Sequence, residues 1–170
     1  FSCETKFGST TENIISIPKV KVKRMATTGE WGEIHERGIS METAKKFNTK
    51  VKRAGNITTH HLYQYYNDKG EHIGNKVRQT RDKKMWVEGE MTDAVLFGQN
   101  IFNQKAKYIT ICEGEVDAMS AFELMGSKWP AVSIKTGAAG ALRDCKEAFD
   151  YLDKYAVSYT HLTLPTNREV

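Results

Sequence analysis

A chain of 170 residues with 39% hydrophobic and 27% charged side chains has the make-up of a soluble globular protein, large enough for one sizeable core or two small lobes. That balance excludes disordered and fibrous classes; no apolar run approaches the ~20 residues a transmembrane helix needs, and no basic-then-apolar signal opens the chain. A cytoplasmic protein without a membrane partner is expected, and three widely spaced cysteines, Cys3, Cys112 and Cys145, fit reduced thiols rather than a disulfide framework. The net charge of +4 hides an asymmetry: residues 1–105 hold 18 Lys or Arg against 12 Asp or Glu, and residues 106–170 hold 7 against 9. A basic front beside an acidic back suits nucleic acid held near a metal, though a solvated surface explains it equally well.

In chain order, Phe1 to Thr11 reads as the end of one unit followed by a polar linker, and Ile17 to Arg24 as a basic tether or short edge strand, with Pro18 against a central position. A helix-like stretch follows at Gly32 to Gly38. Ser40 is a good N-cap, with Thr43 where a capping box would place Glu or Gln, and Met41, Ala44 and Phe47 mark a short amphipathic helix. Leu62, Gln64 and Tyr66 then alternate against Tyr63 and Tyr65, Asn67 to Gly70 makes a turn, and Ile73 to Val77 returns, which predicts a hairpin. From Lys107 the period changes. A strand at Tyr108 to Cys112, a helix over about Val116 to Met125, a strand at Ala131 to Ile134, a Gly-rich turn from Lys135 to Gly140 and a helix from Ala141 to Leu152 make a βαβα unit, after which no further strand is expected.

The first strand of this unit runs straight into Glu113-Gly114-Glu115. Ligands of open parallel sheets gather at the carboxyl ends of strands. Gly114 would permit a tight turn there, and two neighbouring carboxylates repel unless a cation or proton sits between them. Magnesium prefers such hard oxygen donors. Taken alone, E-G-E is more simply a helix cap, because acids in a first turn stabilise it by ~0.3–1 kcal/mol. A second E-G-E, Glu88 to Glu90, follows a basic segment and is assigned to a loop. His60 and His61 are adjacent on a strand, so they point to opposite faces and do not share a metal. Trp31, Trp86 and Trp129 are too scattered for a base-stacking platform and are expected to pack. Met119, Phe122 and Met125 fall at helical spacing and read as core; Cys112 and Cys145 have no base nearby in sequence and read as structural.

"ITICEGEVDAMSAFELMG" followed by "WPAVSIKTGAAGA" resembles the first half of a Toprim domain, the metal-binding fold shared by primases, topoisomerases and some nucleases. Upstream, "ERGISMETAKKF", "GNKVRQTRDKKMW" and "AVLFGQNIF" resemble, in order and spacing, the RNA-polymerase part of bacteriophage primase-helicases, whose mitochondrial relative is the Twinkle helicase. The match runs from about Trp31 to Tyr155. It implies an α+β fold in which a small basic, hairpin-containing lobe (31–106) precedes a truncated Toprim α/β (βαβα) sheet (107–155). It also implies that Glu113 is a catalytic, magnesium-binding acid, Glu115 a supporting catalytic acid beside it, and Asp117 either a further acid or a helix-favouring residue. Lys76, and either Lys83 or Lys84, would contact nucleotide or primer phosphates, with Arg78 and Arg81 in the same cluster; a solvated hairpin rim is the plain alternative. Thr136 and Gly137 fall where the family has a small-residue turn beside the site, which a strand-to-helix connection explains equally well. The intact parent would be a DNA primase that joins ribonucleoside triphosphates into an RNA primer on single-stranded DNA template, using Mg2+, fused to a ring helicase. A non-catalytic DNA-binding module and a Toprim nuclease are the alternatives.

Both ends depart from the family pattern. The family's zinc ribbon ends in C-x-x-C, so residues 1–30 read as the end of a ribbon plus linker, with Cys3 an orphan zinc ligand; the Zn2+ site belongs to the parent and not to this chain. Val157 to Thr166 back-translates residue for residue to GTC TCT TAT ACA CAT CTG ACG CTG CCG ACG, which resembles a transposase-based sequencing adapter, so residues 156–170 are assigned to adapter. The next family strand would end in D-x-D and complete the magnesium site; Asp144, Asp150 and Asp153 are poor substitutes, and the chain itself is expected to bind nucleic acid weakly and to catalyse nothing. Resequencing the source DNA without a transposase adapter should carry the frame from codon 155 into an apolar strand ending in D-x-D. Recovery of the same codons for Val157 to Thr166 would overturn the adapter assignment.

Overall fold

The computed structural model describes residues 26–102 and 106–161, with backbone alone for 157–161. The expectations for residues 1–25, including Cys3, and for residues 162–170 lie outside the described residues. Two sheets are present. The first holds β1 (Thr49–Ala54), β2 (Ile57–Tyr66), β3 (His72–Gln79) and β4 (Met85–Gly89), all antiparallel in the order β1-β2-β3-β4. The second is parallel: β5 (Tyr108–Cys112) lies between β6 (Ala131–Ser133) and β7 (Val157–His161). Both fit the α+β expectation, and the βαβα order is completed by α2 (Glu115–Leu124), α3 (Ala141–Glu147) and α4 (Phe149–Leu152).

The hairpin stands as expected, with Tyr63 opposite Lys76 and Tyr65 opposite Gly74. Several expectations need correcting. Gly32 to Gly38 holds only a 3-10 turn at His35–Arg37, closed by Gly38 at φ 65°. The Glu88 copy of E-G-E ends strand β4 rather than lying in a loop: the Glu88 carboxylate is buried and accepts Thr27 N–H (2.9 Å), Thr27 Oγ1 (2.5 Å) and Trp86 Nε1–H (3.0 Å), which satisfies it inside the sheet. The helix expected from Ala141 to Leu152 breaks at Ala148 (φ −93°, ψ 12°) into α3 and α4. A strand does follow the βαβα unit. Val157–His161 pairs with β5 in parallel register, Tyr108 with Val157 through Cys112 with His161, because a β-branched and aromatic run meets an otherwise unpaired strand edge. Trp31, Trp86 and Trp129 stay 36–41% exposed; Lys50 Nζ lies over the Trp31 ring, and Trp86 and Trp129 make edge-on contacts with His60 and Tyr108.

One core serves both sheets. Val51, Tyr63 and Tyr65 from the antiparallel sheet pack with Ile109, Val116, Met119, Phe122 and Val132 from the parallel one. Phe47, which follows α1 (Met41–Lys46), is 1% exposed and meets the rings of Phe97, Phe102 and Phe122 at 5.5–5.6 Å. The helix start at Ser40 crosses between sheets too: its Oγ accepts the Thr43 N–H (3.2 Å), while its own N–H (2.9 Å) and hydroxyl (2.6 Å) donate to Glu123 on α2. The acid absent from position 43 is therefore supplied from a distance. Residues 94–97 stitch the sheets through the backbone, Val95 N–H to Tyr66 O (2.9 Å) and Phe97 paired with Ser133 (3.0 and 3.1 Å). Phe47→Ala should lower unfolding free energy by about 3–5 kcal/mol, read by urea denaturation, because it leaves a cavity where both sheets meet.

Candidate functional site

A cavity of about 380 Å3 opens where the carboxyl ends of β5 and β6 face the antiparallel sheet, and it is lined by Arg37, Lys76, Arg78, Glu113, Glu115, Asp117 and Lys135 among others. Strand parity builds the basic wall. Lys76 and Arg78 alternate on one face of β3, and Arg78 lies opposite Met85 on β4, so both side chains reach the cavity. Arg37 joins them from the 3-10 turn, where nothing in its local sequence distinguishes it from a solvated arginine. Arg81, Lys83 and Lys84 lie beyond this wall, around the β3–β4 turn. Lys83 takes the left-handed turn position (φ 57°) and Lys84 Nζ pairs with Asp82 at 3.4 Å.

The three acids divide. Glu113 makes no hydrogen bond or ion pair among the described residues and lines the cavity. Glu115, 5% exposed, is engaged through one oxygen: its Oε1 accepts the Tyr65 hydroxyl and the Lys76 ammonium, each at 2.6 Å. Asp117 is the N3 residue of α2, its carboxylate beside the N-cap Gly114, in the first turn where an acid favours the helix. Gly114 has an extended backbone (φ −123°) that any residue could adopt. A Cβ there would sit 2.9 Å from the Asp117 carboxylate, so a larger residue would have to push that side chain aside. Burial raises the Asp117 carboxyl above its ordinary value, the Arg37 charge opposes this, and the Glu113 and Glu115 charges add to it.

Beside the acids, at the carboxyl end of β6, Lys135, Thr136 and Gly137 also line the cavity. The fully buried Asp144 fixes this loop through one oxygen, Oδ2, which accepts Lys135 N–H (2.7 Å), Thr136 N–H (2.9 Å) and Thr136 Oγ1 (2.9 Å). Gly140 is required beneath it, since Thr136 Oγ1 occupies the place a Cβ would take. Lys135 Nζ is held by Ala94 O and Glu147, both at 2.7 Å. Asp144 thus holds the loop through Oδ2, while its Oδ1 is buried without a hydrogen-bond partner. His60 and His61 do point apart. His60 lies against Trp86, while His61 bonds Glu36 (2.7 Å) and Tyr63 (3.1 Å), with burial lowering its pKa. Cys112 is buried at the end of β5 and its thiol is pushed up to about 12 by burial, in keeping with a structural role.

Among the described residues, no group of three or more His, Cys, Asp or Glu side chains could hold a metal ion. Glu113 and Asp117 have the hard oxygen donors magnesium prefers, and the repulsion around Asp117 is of the kind a cation relieves, so the residues fit part of such a site. The strand in the adjacent slot ends at His161, not at an acid pair.

Fold and cavity together define a Toprim-type primase architecture. No family model matches the chain. It is a homologue of the phage T3 and T7 helicase/primases: it is 30% identical over 129 residues to the DNA helicase/primase of Enterobacteria phage T3, an alignment that covers 76% of this chain and 22% of that protein. The primase fragment of the bacteriophage T7 primase-helicase superposes with a TM-score of 0.71 at 29% identity, over 80% of this chain and 56% of that one. A chain from a T7 lagging-strand DNA polymerase complex, with primase domains bound to an RNA/DNA hybrid and dTTP, gives 0.70 at 29% identity, over 80% and 68%. The E. coli primase catalytic core, at 14% identity and 0.52 over 79% and 54%, shares the fold. The chain spans about a fifth of the length of the curated phage relative.

Tyr65 and Lys135 also escaped the sequence reading: Tyr65 looked like one more alternating strand residue, and Lys135 like part of a connection. Asp144→Ala should cost about 2–3 kcal/mol in urea unfolding, because three donors lose one buried acceptor. Increased amide exchange at Lys135 and Thr136 should accompany it.

Proposed function

We propose that this chain is the phosphate- and cation-facing part of a DNA primase whose intact form joins ribonucleoside triphosphates into RNA primers on single-stranded DNA by magnesium-dependent nucleotidyl transfer. The observation that carries the reading is one cavity with Lys76, Arg78 and Arg37 on one wall and Glu113 and Asp117 on another. A triphosphate with its cation matches that division of charge. Glu113, free of other bonds, would be the principal ligand, with Asp117 and Glu115 supplying negative charge behind it. When bound, magnesium stabilises developing charge on the attacking and leaving oxygens.

The chain's own residues bind and orient. Lys76 and Arg78 offset phosphate charge and hold the triphosphate against the acid wall. Arg81, Lys83 and Lys84 at the hairpin tip extend the positive surface for a template or primer backbone, a contribution that falls with salt. In the parent, an acid pair on the strand beside β5 would complete the cation site, a zinc ribbon would precede this part, and a ring helicase would be fused to it. Single-stranded DNA, ribonucleoside triphosphates and the RNA primer are the partners, in the cytoplasm of an infected cell. Among the described residues no helix is long and apolar enough to cross a membrane.

The likeness to phage helicase/primases favours primer synthesis over a second reading, a DNA-binding lobe without chemistry. Primer synthesis on single-stranded template separates the two. The intact parent should incorporate ribonucleotides, and Glu113→Gln in it should lower kcat at least about 100-fold, while the present chain binds DNA weakly and joins nothing. Processive synthesis by the present chain would overturn the requirement for further acids. An intact parent that binds DNA and synthesises nothing would establish the binding lobe.

A further inference from the structure

The geometry points to Tyr65 as a positioning residue that acts through Glu115, and to Glu115 as the bolt that fixes the two walls of the cavity to each other rather than as an inner ligand of the cation. Three elements converge on one atom: Tyr65 from β2 and Lys76 from β3 both donate to Glu115 Oε1 at 2.6 Å, and Glu115 is the first residue of α2. The junction is buried. Tyr65 is 1% exposed, and the side chains of Lys76 and Glu115 are 13% and 6% exposed. Lys76 Nζ also stands 5.5 Å from the Tyr65 ring centroid, so phenol, ammonium and carboxylate form one closed cluster.

Hydrogen bonds to an ionised acceptor are the strong ones, and a buried carboxylate that loses a partner stays buried with its charge uncompensated. Glu115 is therefore costly to redirect toward a cation. Glu113, two residues earlier on the same connection, has no competing bond. The bolt joins the sheet that carries the basic wall to the helix that carries the acids. It sets the separation of Arg78 and Lys76 from Glu113 and Asp117, the spacing a triphosphate must span on the reading proposed above. Tyr65 meets the basic wall only through its ring beneath Lys76, and its hydroxyl acts through Glu115.

The test is a double-mutant cycle on the full chain with two readouts, urea unfolding and equilibrium binding of ATP with Mg2+. Tyr65→Phe keeps the ring that packs 5.7 Å from Phe97 and removes only the hydroxyl. Glu115→Met keeps side-chain length and removes the acceptor. Tyr65→Phe should weaken ATP–Mg2+ binding about tenfold and raise the unfolding equilibrium constant by a similar factor. On the Glu115→Met background, both effects should shrink to within about twofold, because the hydroxyl has lost the group it positions. Effects that multiply in full on that background would overturn the proposal, as would a Tyr65→Phe chain that binds like the parent. Should Glu115→Met fail to fold, Glu115→Gln completes the same cycle, since it keeps the side chain's size and removes the charge that makes the Tyr65 hydrogen bond strong. A parent chain that binds no ATP–Mg2+ yet shows the coupling in urea would support the bolt and count against the nucleotide reading, so the two fail separately.

Discussion

Two sheets of different habit share a single apolar core, and the cavity exists because that core holds them face to face. An antiparallel sheet can leave one face in water, whereas a parallel strand such as β5 needs cover on both. Val51, Tyr63 and Tyr65 give the antiparallel sheet an inner face that meets α2 and β6, with Phe47 set among three rings at the join. Polar groups then settle at the rim of this contact, where Glu115, Tyr65 and Lys76 are satisfied by one another instead of by water. Charge placement follows from packing. Because Lys76 shares its strand face with buried residues, its ammonium is carried to the seam; because Glu113 ends a strand rather than starting the helix, its carboxylate stays free.

The E-G-E-x-D run is economical in a physical sense. Each acid meets a different need of the same turn: Asp117 lies in the first turn beside the N-cap, Glu115 ties the helix start to the opposite sheet, and Glu113 faces the open cavity. The three acids of one motif thus face three different surroundings, which the sequence alone presents as equivalent.

Much of this was legible before any coordinates. The β5 strand appears with the limits its apolar run predicts, the Asn67 to Gly70 turn fixes the β2–β3 register, and the acid wall falls at the strand end where parallel sheets collect ligands. The same register contains Tyr65: with Tyr63 opposite Lys76 and Tyr65 opposite Gly74, parity alone places the phenol on the lysine's face. What the sequence could not supply were relations between distant segments. Glu88 looks like a loop acid until Thr27 and Trp86 are brought to it, and Arg37 looks solvated until its turn is folded against α2. The strand at Val157–His161 is a different case. Strand propensity and a vacant edge suffice for pairing whatever the origin of the codons, so its place beside β5 speaks to local physics and not to ancestry.

The cap that Glu123 places on Ser40 bears on how the molecule comes apart. A six-residue helix has too few internal bonds to persist alone in water. With its N-cap Ser40 held by Glu123 of α2, α1 draws its support from the docking of the two sheets. The antiparallel portion therefore has no independent helical foldon. Local fraying at Ser40 and separation of the sheets become one event, and amide protection in α1 reports the integrity of the whole cavity from its far side.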